Sequence, residues 1–200
     1  MKHQITLQSL DKKLDKILNI LKPVLSPEQP TKWNHLKMLP EYTAQYLFNE
    51  CKKLFPCYSH ANFSDIKSDR SGKYEIDFKP NIEADEDYKN MSANEIKEKG
   101  IRGITLEERL LLELQYFRET GKHLDINDWT LCAGSRYSDG CIPAVYWFYD
   151  KLKVNYYRPD SHYDCLRARA AVPLATSSFN PLLLTFDYNG KKYKIKEIIE

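Results

Sequence analysis

The sequence has no long apolar run and no excess of one charge. Because no stretch approaches the ~20 consecutive apolar residues that cross a bilayer, we expect no membrane span. The 30 basic and 28 acidic residues leave a formal charge of +2, which gives no reason to expect nucleic acid as a partner. Residues 7–21 are interrupted by polar side chains, so we predict no signal peptide and synthesis in the cytoplasm. The final site, whether the cytoplasm or the surface of a cell or virion, stays open.

The common catalytic motifs are also lacking. The 7 glycines are scattered rather than gathered in a phosphate-binding loop, and neither HExxH nor GxSxG occurs. We therefore predict no catalytic residue and no cofactor, and we expect a protein that is not an enzyme. The 5 cysteines, an odd number, are expected to be reduced thiols. Cys51, Cys57 and His60 lack further ligands at zinc spacing, so no metal site is predicted.

Apolar residues near the N-terminus recur at alternating spacings of three and four, at Leu7, Leu10, Leu14, Ile17 and Leu21. This spacing predicts an amphipathic helix, and the prolines within residues 23–30 end it in a stiff linker. Such a short helix is not stable alone in water. The seam is therefore expected to pack either on its own domain or on copies of itself in a homo-oligomer. The chain would then comprise an arm with its linker (1–30) and one domain (31–200).

The rest of the chain mixes helical and strand periodicities, which predicts an α+β domain. Residues 41–54 predict a helix, and the side chains expected toward the core are Tyr42, Tyr46, Leu47 and Leu54. Residues 73–78 alternate and predict a strand. Residues 81–99 are polar and predict a loop, with a short helix that begins at Ser92. A longer helix is expected from the capping box of Thr105 and Glu108 to a stop at Gly121.

Two antiparallel hairpins are predicted in the second half of the chain. Val145 and Trp147 alternate with Tyr146 and Phe148, and a second alternating run follows a turn at residues 149–150. Near the C-terminus, residues 182–188 and 191–198 flank Asn189-Gly190, and Asn-Gly is the strongest short signal for a hairpin turn.

The composition of the same half is unusual. Of the 14 tyrosines, six lie close together, at Tyr137, Tyr146, Tyr149, Tyr156, Tyr157 and Tyr163. They are mixed with aspartate, serine, asparagine and histidine, a composition typical of antibody-type binding loops. Between Thr130 and Gly190 there is no glutamate, glutamine or methionine, and the only lysines and tryptophan are Trp147, Lys151 and Lys153.

Three motifs lie in this region: Gly134-Ser135-Arg136, Val145-x-Trp147, and the run Leu166-Arg167-Ala168-Arg169-Ala170-Ala171-Val172. With the helix start Gly103-Ile104-Thr105-Leu106, they resemble the variable proteins of diversity-generating retroelements. The resemblance implies a C-type-lectin-like domain with antiparallel hairpins and a variable region at about 134–172. It also implies a hypervariable ligand-binding protein that reverse transcriptase-mediated mutagenesis diversifies. Calcium-dependent sugar binding is not implied, since no Glu-Pro-Asn or Trp-Asn-Asp string occurs.

In that family, adenine-specific mutagenesis of asparagine codons never yields lysine, glutamate, glutamine, methionine or tryptophan. The resemblance therefore implies these variable, ligand-binding positions: Tyr137, Asp139, Cys141, Ala144, Tyr146, Phe148, Tyr149, Asn155, Tyr157, Asp160, Ser161, His162, Tyr163, Asp164 and Cys165. The implied scaffold is Val145, Trp147, Leu152, Val154 and Arg167. We expect Tyr146, Phe148 and Asn155 to point outward, where substitution costs little stability. The ligand is unknown and is expected to be a protein or other macromolecule. The tyrosines would anchor it, and the aspartates would form polar contacts with it.

Two alternatives stay open. The tyrosine-rich face could be a fixed subunit interface of a structural or intracellular interaction protein. The chain could also be a Cys-dependent enzyme related to the formylglycine-generating proteins, which share the C-type-lectin-like fold. That alternative requires a reactive pair of cysteines with a low pKa.

Overall fold

A computed structural model describes residues 33–60, 62–172, 185–188 and 191–194. The chain divides into two units, Met1–Lys32 and Trp33–Glu200, and every described residue belongs to the second. The seam of the N-terminal arm lies outside the described residues, so its helix and its self-association stay predictions.

The described residues form an α+β structure, which confirms the expected class. The helices are α1 (Ala44–Leu54), α2 (Ala93–Glu98) and α3 (Leu106–Thr120). The first strands are β1 (His35–Met38), β2 (Cys57–Ser59), β3 (Ile66–Ser68), β4 (Tyr74–Phe78), β5 (Trp129–Leu131) and β6 (Ser135–Tyr137). They are followed by β7 (Ile142–Trp147), β8 (Leu152–Tyr157), β9 (Leu166–Ala168), β10 (Ala171–Val172), β11 (Thr185–Tyr188) and β12 (Lys191–Lys194). Short 3-10 turns occur at Phe63–Asp65 and Glu86–Tyr88.

The largest sheet has five strands in the order β2-β8-β7-β5-β9. The pairs β7–β8 and β5–β7 are antiparallel, whereas β2–β8 and β5–β9 are parallel. A second sheet, entirely antiparallel, has the order β1-β4-β10. The pairs β3–β6 and β11–β12 are also antiparallel.

Both predicted hairpins are confirmed in their pairing. In the β7–β8 hairpin, Trp147 pairs with Leu152, and the turn residues Tyr149 and Asp150 have φ angles of 49° and 55°. Two successive positive φ angles are characteristic of a type I′ turn, whose twist matches that of the flanking strands. In the second hairpin Tyr188 pairs with Lys191, and the Asn-Gly dipeptide between them lies outside the described residues.

Helix α3 begins and ends where the sequence predicts. Thr105 accepts a hydrogen bond from the N–H of Glu108, and the Glu108 carboxylate accepts one from the N–H of Thr105. Gly121 follows the helix with a φ of 68°, a left-handed conformation that glycine adopts without steric cost. Helix α3 packs on α1 and contacts β1 and β7, so it forms the centre of the main core.

The orientation of α1 differs in part from the prediction. Its buried side chains are Ala44, Leu47, Phe48 and Cys51, which recur at helical spacing on one face. Tyr46 and Leu54 lie off this face and are exposed, so the expectation that they point toward the core is wrong. Competing apolar residues at intermediate positions made the core-facing side ambiguous in sequence.

A buried ionic network connects α3 to the five-stranded sheet. Arg109 donates to Glu113 at 2.9 Å and to Asp125 at 2.9 Å. Asp125 also accepts from Arg169 at 2.6 Å and from the hydroxyl of Thr130 on β5. All of these residues are fully or almost fully buried, so their charges are compensated by each other rather than by water. The network fixes β5 and the segment after β9 relative to α3.

Candidate ligand-binding surface

The five-stranded sheet has two faces, and the register assigns the predicted residues of β7 and β8 to one or the other. Val145 pairs with Val154, and Trp147 pairs with Leu152, and these four side chains pack in or against the main core. Ala144 pairs with Asn155, and Ile142 pairs with Tyr157, so these residues occupy the opposite face, hereafter the outer face. The predicted division of β7 and β8 into inward and outward residues is thus confirmed for the side of the sheet on which they lie.

The outer face is nevertheless partly covered. Tyr146 is only 6% exposed, and Ala144 is fully buried in a small second cluster that includes Ala93 of α2 and Leu131 of β5. The expectation that Tyr146 stands free at the surface is therefore wrong. The reason is tertiary, because α2 and β5 supply the side chains that cover the middle of this face.

Six aromatic rings form a continuous line in the described region, hereafter the aromatic row. In order its members are Tyr163, Tyr157, Trp129, Tyr146, Phe148 and Tyr149. The successive distances between ring centroids are 5.5, 5.7, 4.5, 6.3 and 4.1 Å. The first four lie within the range of about 4.5–7 Å at which aromatic pairs attract each other, and Phe148 and Tyr149 are closer still. The structure thus brings together five predicted site residues and one residue, Trp129, that sequence reasoning missed.

Exposure varies along the aromatic row. Tyr146 at its middle is buried, whereas Tyr149 at one end is 77% exposed and Tyr163 at the other end is 51% exposed. Phe148 beside Tyr149 is 42% exposed. The two ends can therefore contact a ligand, while the middle holds the rings in place.

One end of the aromatic row is the tip of the β7–β8 hairpin. The ammonium of Lys153 lies 4.7 Å from the centroid of the Phe148 ring and 5.6 Å from that of Tyr149, which are cation–π distances. Tyr58 of β2 pairs with Lys153 in the parallel register and is exposed, so it extends this surface across β8. Neither Tyr58 nor Lys153 was a candidate ligand-binding residue from sequence, because Tyr58 lies far from the tyrosine-rich segment.

The other end is the loop of Asp160, Ser161, His162, Tyr163, Asp164 and Cys165, which lies against the start of α2. The N–H of Asn94 donates to the carbonyl of Pro159 at 3.0 Å. The ring of His162 bonds the carboxylate of Glu95 at 2.8 Å and the carbonyl of Asp160 at 2.8 Å. Hydrogen bonds from Ser92 and His162 lower the pKa of Glu95, so this carboxylate stays ionised in the contact. The loop is thus held to the helix while Tyr163 stays exposed.

Three predicted site residues, Tyr137, Asp139 and Cys141, lie apart from the aromatic row. Tyr137 stacks edge-on with Tyr156 at 5.8 Å, and Tyr156 lies on the opposite side of β8 from Tyr157. Burial raises the pKa of the Tyr137 hydroxyl, which has no hydrogen-bond partner. The carboxylate of Asp139 accepts a hydrogen bond from the N–H of Cys141 at 2.9 Å. The predicted set therefore forms two groups rather than one surface.

Arg167, a predicted scaffold residue, lies in an ion-pair cluster on β9. Its guanidinium bonds Glu86 and lies 3.1 Å from a carboxylate oxygen of Asp128. Desolvation raises the pKa of Asp128, and Arg167 opposes that shift by favouring the charged carboxylate. Arg167 thus joins β9 to the 3-10 turn at Glu86–Tyr88 and to the residue before β5.

All five cysteines are free thiols. Burial raises the pKa of each of them, and for Cys57 it does so to about 12. Thiols with raised pKa values stay protonated and are poor nucleophiles near neutral pH. Within residues 33–60, 62–172 and the two short C-terminal strands, no group of three or more histidine, cysteine or acidic side chains is placed to hold a metal ion.

A polar cleft of about 630 Å³ lies elsewhere in the domain, and its lining includes Thr43, Asn62, Ser68, Arg70, Tyr74 and Glu107. The hydroxyl of Ser68 donates to Glu107 at 2.6 Å, and Arg70 is paired with Glu108. None of the predicted site residues lines this cleft. Most of its polar side chains already have hydrogen-bond partners within the protein, so the cleft gives no indication of a ligand.

No helix in the described part of the chain is long and apolar enough to cross a membrane. Comparison with protein-family models, with curated proteins and with solved structures found no match for this chain. Function must therefore be inferred from the residues and their geometry.

Proposed function

We propose that this chain is a ligand-binding protein with a C-type-lectin-like domain, diversified by a retroelement, that recognises a macromolecular ligand through the ends of the aromatic row. The observation that carries the proposal is the aromatic row itself, a line of rings on the sheet face that points away from the core. Tyrosine and phenylalanine give large, fairly rigid contact areas and lose little conformational entropy on binding.

The separation of packing from recognition supports this proposal. Val145, Trp147, Leu152 and Val154 secure β7 and β8 from the core side, and they need not change when outer residues change. The exposed candidates Phe148, Tyr149, Asp160 and Tyr163 pack little, so substitutions there cost little stability. A surface of this kind accommodates many sequences on one backbone.

The polar candidates add specificity at the loop end of the aromatic row. Asp160 and Asp164 are exposed beside Tyr163, where their carboxylates can accept hydrogen bonds from a ligand. A ligand that buries them without a donor loses the hydration of a charged group, so the wrong partner is penalised. The aromatic side chains thus supply affinity, and the carboxylates discriminate between the correct ligand and other partners.

A fixed subunit interface is the second candidate, because the burial of Ala144 and Tyr146 restricts substitution at two positions that diversification would change. A side chain larger than alanine at position 144 would overfill the small second cluster, and loss of the Tyr146 ring would leave a cavity. Under the diversification proposal, these two positions must vary much less than the exposed ones. A Cys-dependent enzyme receives no support from the thiols, whose pKa values are all raised.

The experiment that tests the proposal is sequencing of this locus in many individual genomes of the source population. We expect changes to concentrate at exposed positions, including Phe148, Tyr149, Asp160 and His162, because they contact a ligand without supporting the core. Val145, Trp147 and Leu152 should stay constant, which makes them the internal control. A nearby reverse transcriptase gene and a near-copy repeat would supply the mechanism. Variation spread evenly over the gene, or no variation, would reject diversification and favour the fixed interface.

A further inference from the structure

We propose that the tip of the β7–β8 hairpin, residues 148–153, binds an acidic peptide segment of a protein ligand. This inference rests on the proposed function, because it specifies the partner of one end of the same surface. The carboxylates of the peptide would meet Lys151 and Lys153, and its apolar side chains would contact Phe148 and Tyr149.

The register places the required side chains together. Tyr146 pairs with Lys153, and the N–H of Phe148 donates to the carbonyl of Lys151 at 2.9 Å across the turn. Because side chains alternate along a strand, Phe148, Lys151 and Lys153 share the outer face of the sheet. Tyr58 lies beside Lys153 on the neighbouring strand of this face. The tip therefore presents two lysines and exposed rings on one side.

The charges at the tip are not compensated within the described part of the chain. There, neither Lys151 nor Lys153 forms an ion pair with a carboxylate. Asp150 is exposed at the turn but pairs with neither lysine. Lys153 instead lies over the Phe148 and Tyr149 rings, where its ammonium can still form an ion pair with a carboxylate of the ligand. A ligand complementary to this arrangement carries negative charge beside apolar side chains.

The backbone of the turn provides an independent argument. Tyr149 and Asp150 adopt φ angles of 49° and 55°, in a turn type that favours asparagine and glycine. A bulky residue in this region is strained, and strained residues concentrate at binding sites. The Tyr149 ring is 77% exposed and meets Phe148 as its aromatic neighbour, so packing does not account for a tyrosine there. Ligand contact accounts for it.

The test uses the full chain and a display library of random 12-residue peptides as the probe. We expect the wild-type protein to enrich peptides that place aspartate or glutamate next to aromatic or aliphatic residues. An enriched peptide, synthesised with a fluorescent label, would then be titrated by fluorescence polarisation. The double substitution Lys151→Gln/Lys153→Gln and the single substitution Tyr149→Ala should each weaken binding about tenfold or more. Binding by the wild-type protein should also weaken as salt concentration rises.

Two matched controls keep the result specific to the tip. Lys73→Gln removes an exposed lysine just before β4, and Tyr156→Ala removes a half-exposed tyrosine on the other side of β8. Both should bind the peptide within about twofold of wild type, because neither side chain lies at the tip. All substituted side chains lie at the surface, so far-UV circular dichroism should show the wild-type melting curve for every variant.

The results of these binding experiments distinguish failure of the acidic-peptide inference from failure of the proposed function. Peptides that lack acidic residues, or peptides whose binding is unchanged in both tip variants, would overturn the acidic-peptide inference. If that binding is instead lost in Tyr163→Ala, a ligand-binding surface remains, but its contact lies at the loop end. No enrichment by the folded protein would also overturn the inference. The diversification proposal would still be decided separately, by the sequencing of the locus.

Discussion

Two tyrosines of one hairpin differ sharply in burial, and the same substitution at each should have very different consequences. Tyr146 is 6% exposed and stacks on Trp129 at 4.5 Å, whereas Tyr149 is 77% exposed at the turn. We therefore compare Tyr146→Ala with Tyr149→Ala. The chemical change is identical, so any difference in stability reports the surroundings.

The stability lost in Tyr146→Ala can be worked out from the burial of the ring and from its stacking with Trp129. Removing a buried aromatic ring to alanine costs about 3–5 kcal/mol through lost transfer free energy and the cavity left behind. Loss of the stacking with Trp129 is part of this cost, and such pairs contribute about 0.5–1.5 kcal/mol. Because Tyr146 is slightly exposed and lies outside the main core, we expect the lower end, about 3 kcal/mol, for Tyr146→Ala. Tyr149→Ala should change stability by no more than about 0.5 kcal/mol.

The assay is urea denaturation followed by far-UV circular dichroism. Tryptophan fluorescence is unsuitable, because loss of the Tyr146 ring changes the surroundings of Trp129 directly. Tyr146→Phe keeps the stacked ring and should cost less than about 1.5 kcal/mol as a volume-conserving change. In thermal scans, a loss of 3 kcal/mol corresponds to a fall in Tm of about 6–12 °C for a chain of this size. Equal losses for Tyr146→Ala and Tyr149→Ala would refute the reasoning, since burial would then not decide the cost.

Two further predictions concern the buried charges and thiols. Arg109→Met should destabilise the domain by about 3–5 kcal/mol, measured by urea denaturation, because it removes the buried guanidinium that pairs with Glu113 and one of the two that pair with Asp125. Arg158→Met, at an exposed ion pair, is the control and should cost less than about 1 kcal/mol. Stability should also fall as pH rises from 9 toward 12. The folded state raises the pKa of Cys57 from 9.0 to about 12, so it keeps a proton that the unfolded chain has lost. Cys57→Ser should make this fall shallower.

A specific measurement would contradict each of these two predictions. A cost for Arg109→Met no larger than that for Arg158→Met would mean that water or rearrangement compensates the carboxylates. Stability that stays constant between pH 9 and 12, or a slope unchanged by Cys57→Ser, would mean that the thiol titrates alike in folded and unfolded chains.

Much of the fold could be predicted from sequence because it depends on local periodicity and capping. Thr105 with Glu108, and Gly121 after them, fixed the ends of α3, since capping involves residues only a few positions apart. The strict alternation of Val145 and Trp147 with their neighbours assigned each residue to a face of the sheet. The α+β class follows from such local signals.

Membership of the candidate site could be predicted only in part. Tyr149 and Tyr163 stood out by composition and Phe148 was implied by the family resemblance, and all three lie at the exposed ends of the aromatic row. Trp129 and Tyr58 were missed, since they reach the site through strand pairings that sequence spacing does not reveal. For Trp129 the available signal was its position at the start of a strand, next to the segment with unusual composition.

The sequence by itself determined which residues of each strand share a side, because alternation is a property of the extended backbone. Only the tertiary structure decided which of those sides are covered. Ala93 of α2 packs in the cluster that contains Ala144, and Trp129 of β5 stacks on Tyr146. Ala93 lies far from Ala144 in sequence, and Trp129 lies on another strand than Tyr146. A side chain is exposed or buried according to what the rest of the chain places above it, and no local pattern in β7 encodes that neighbour.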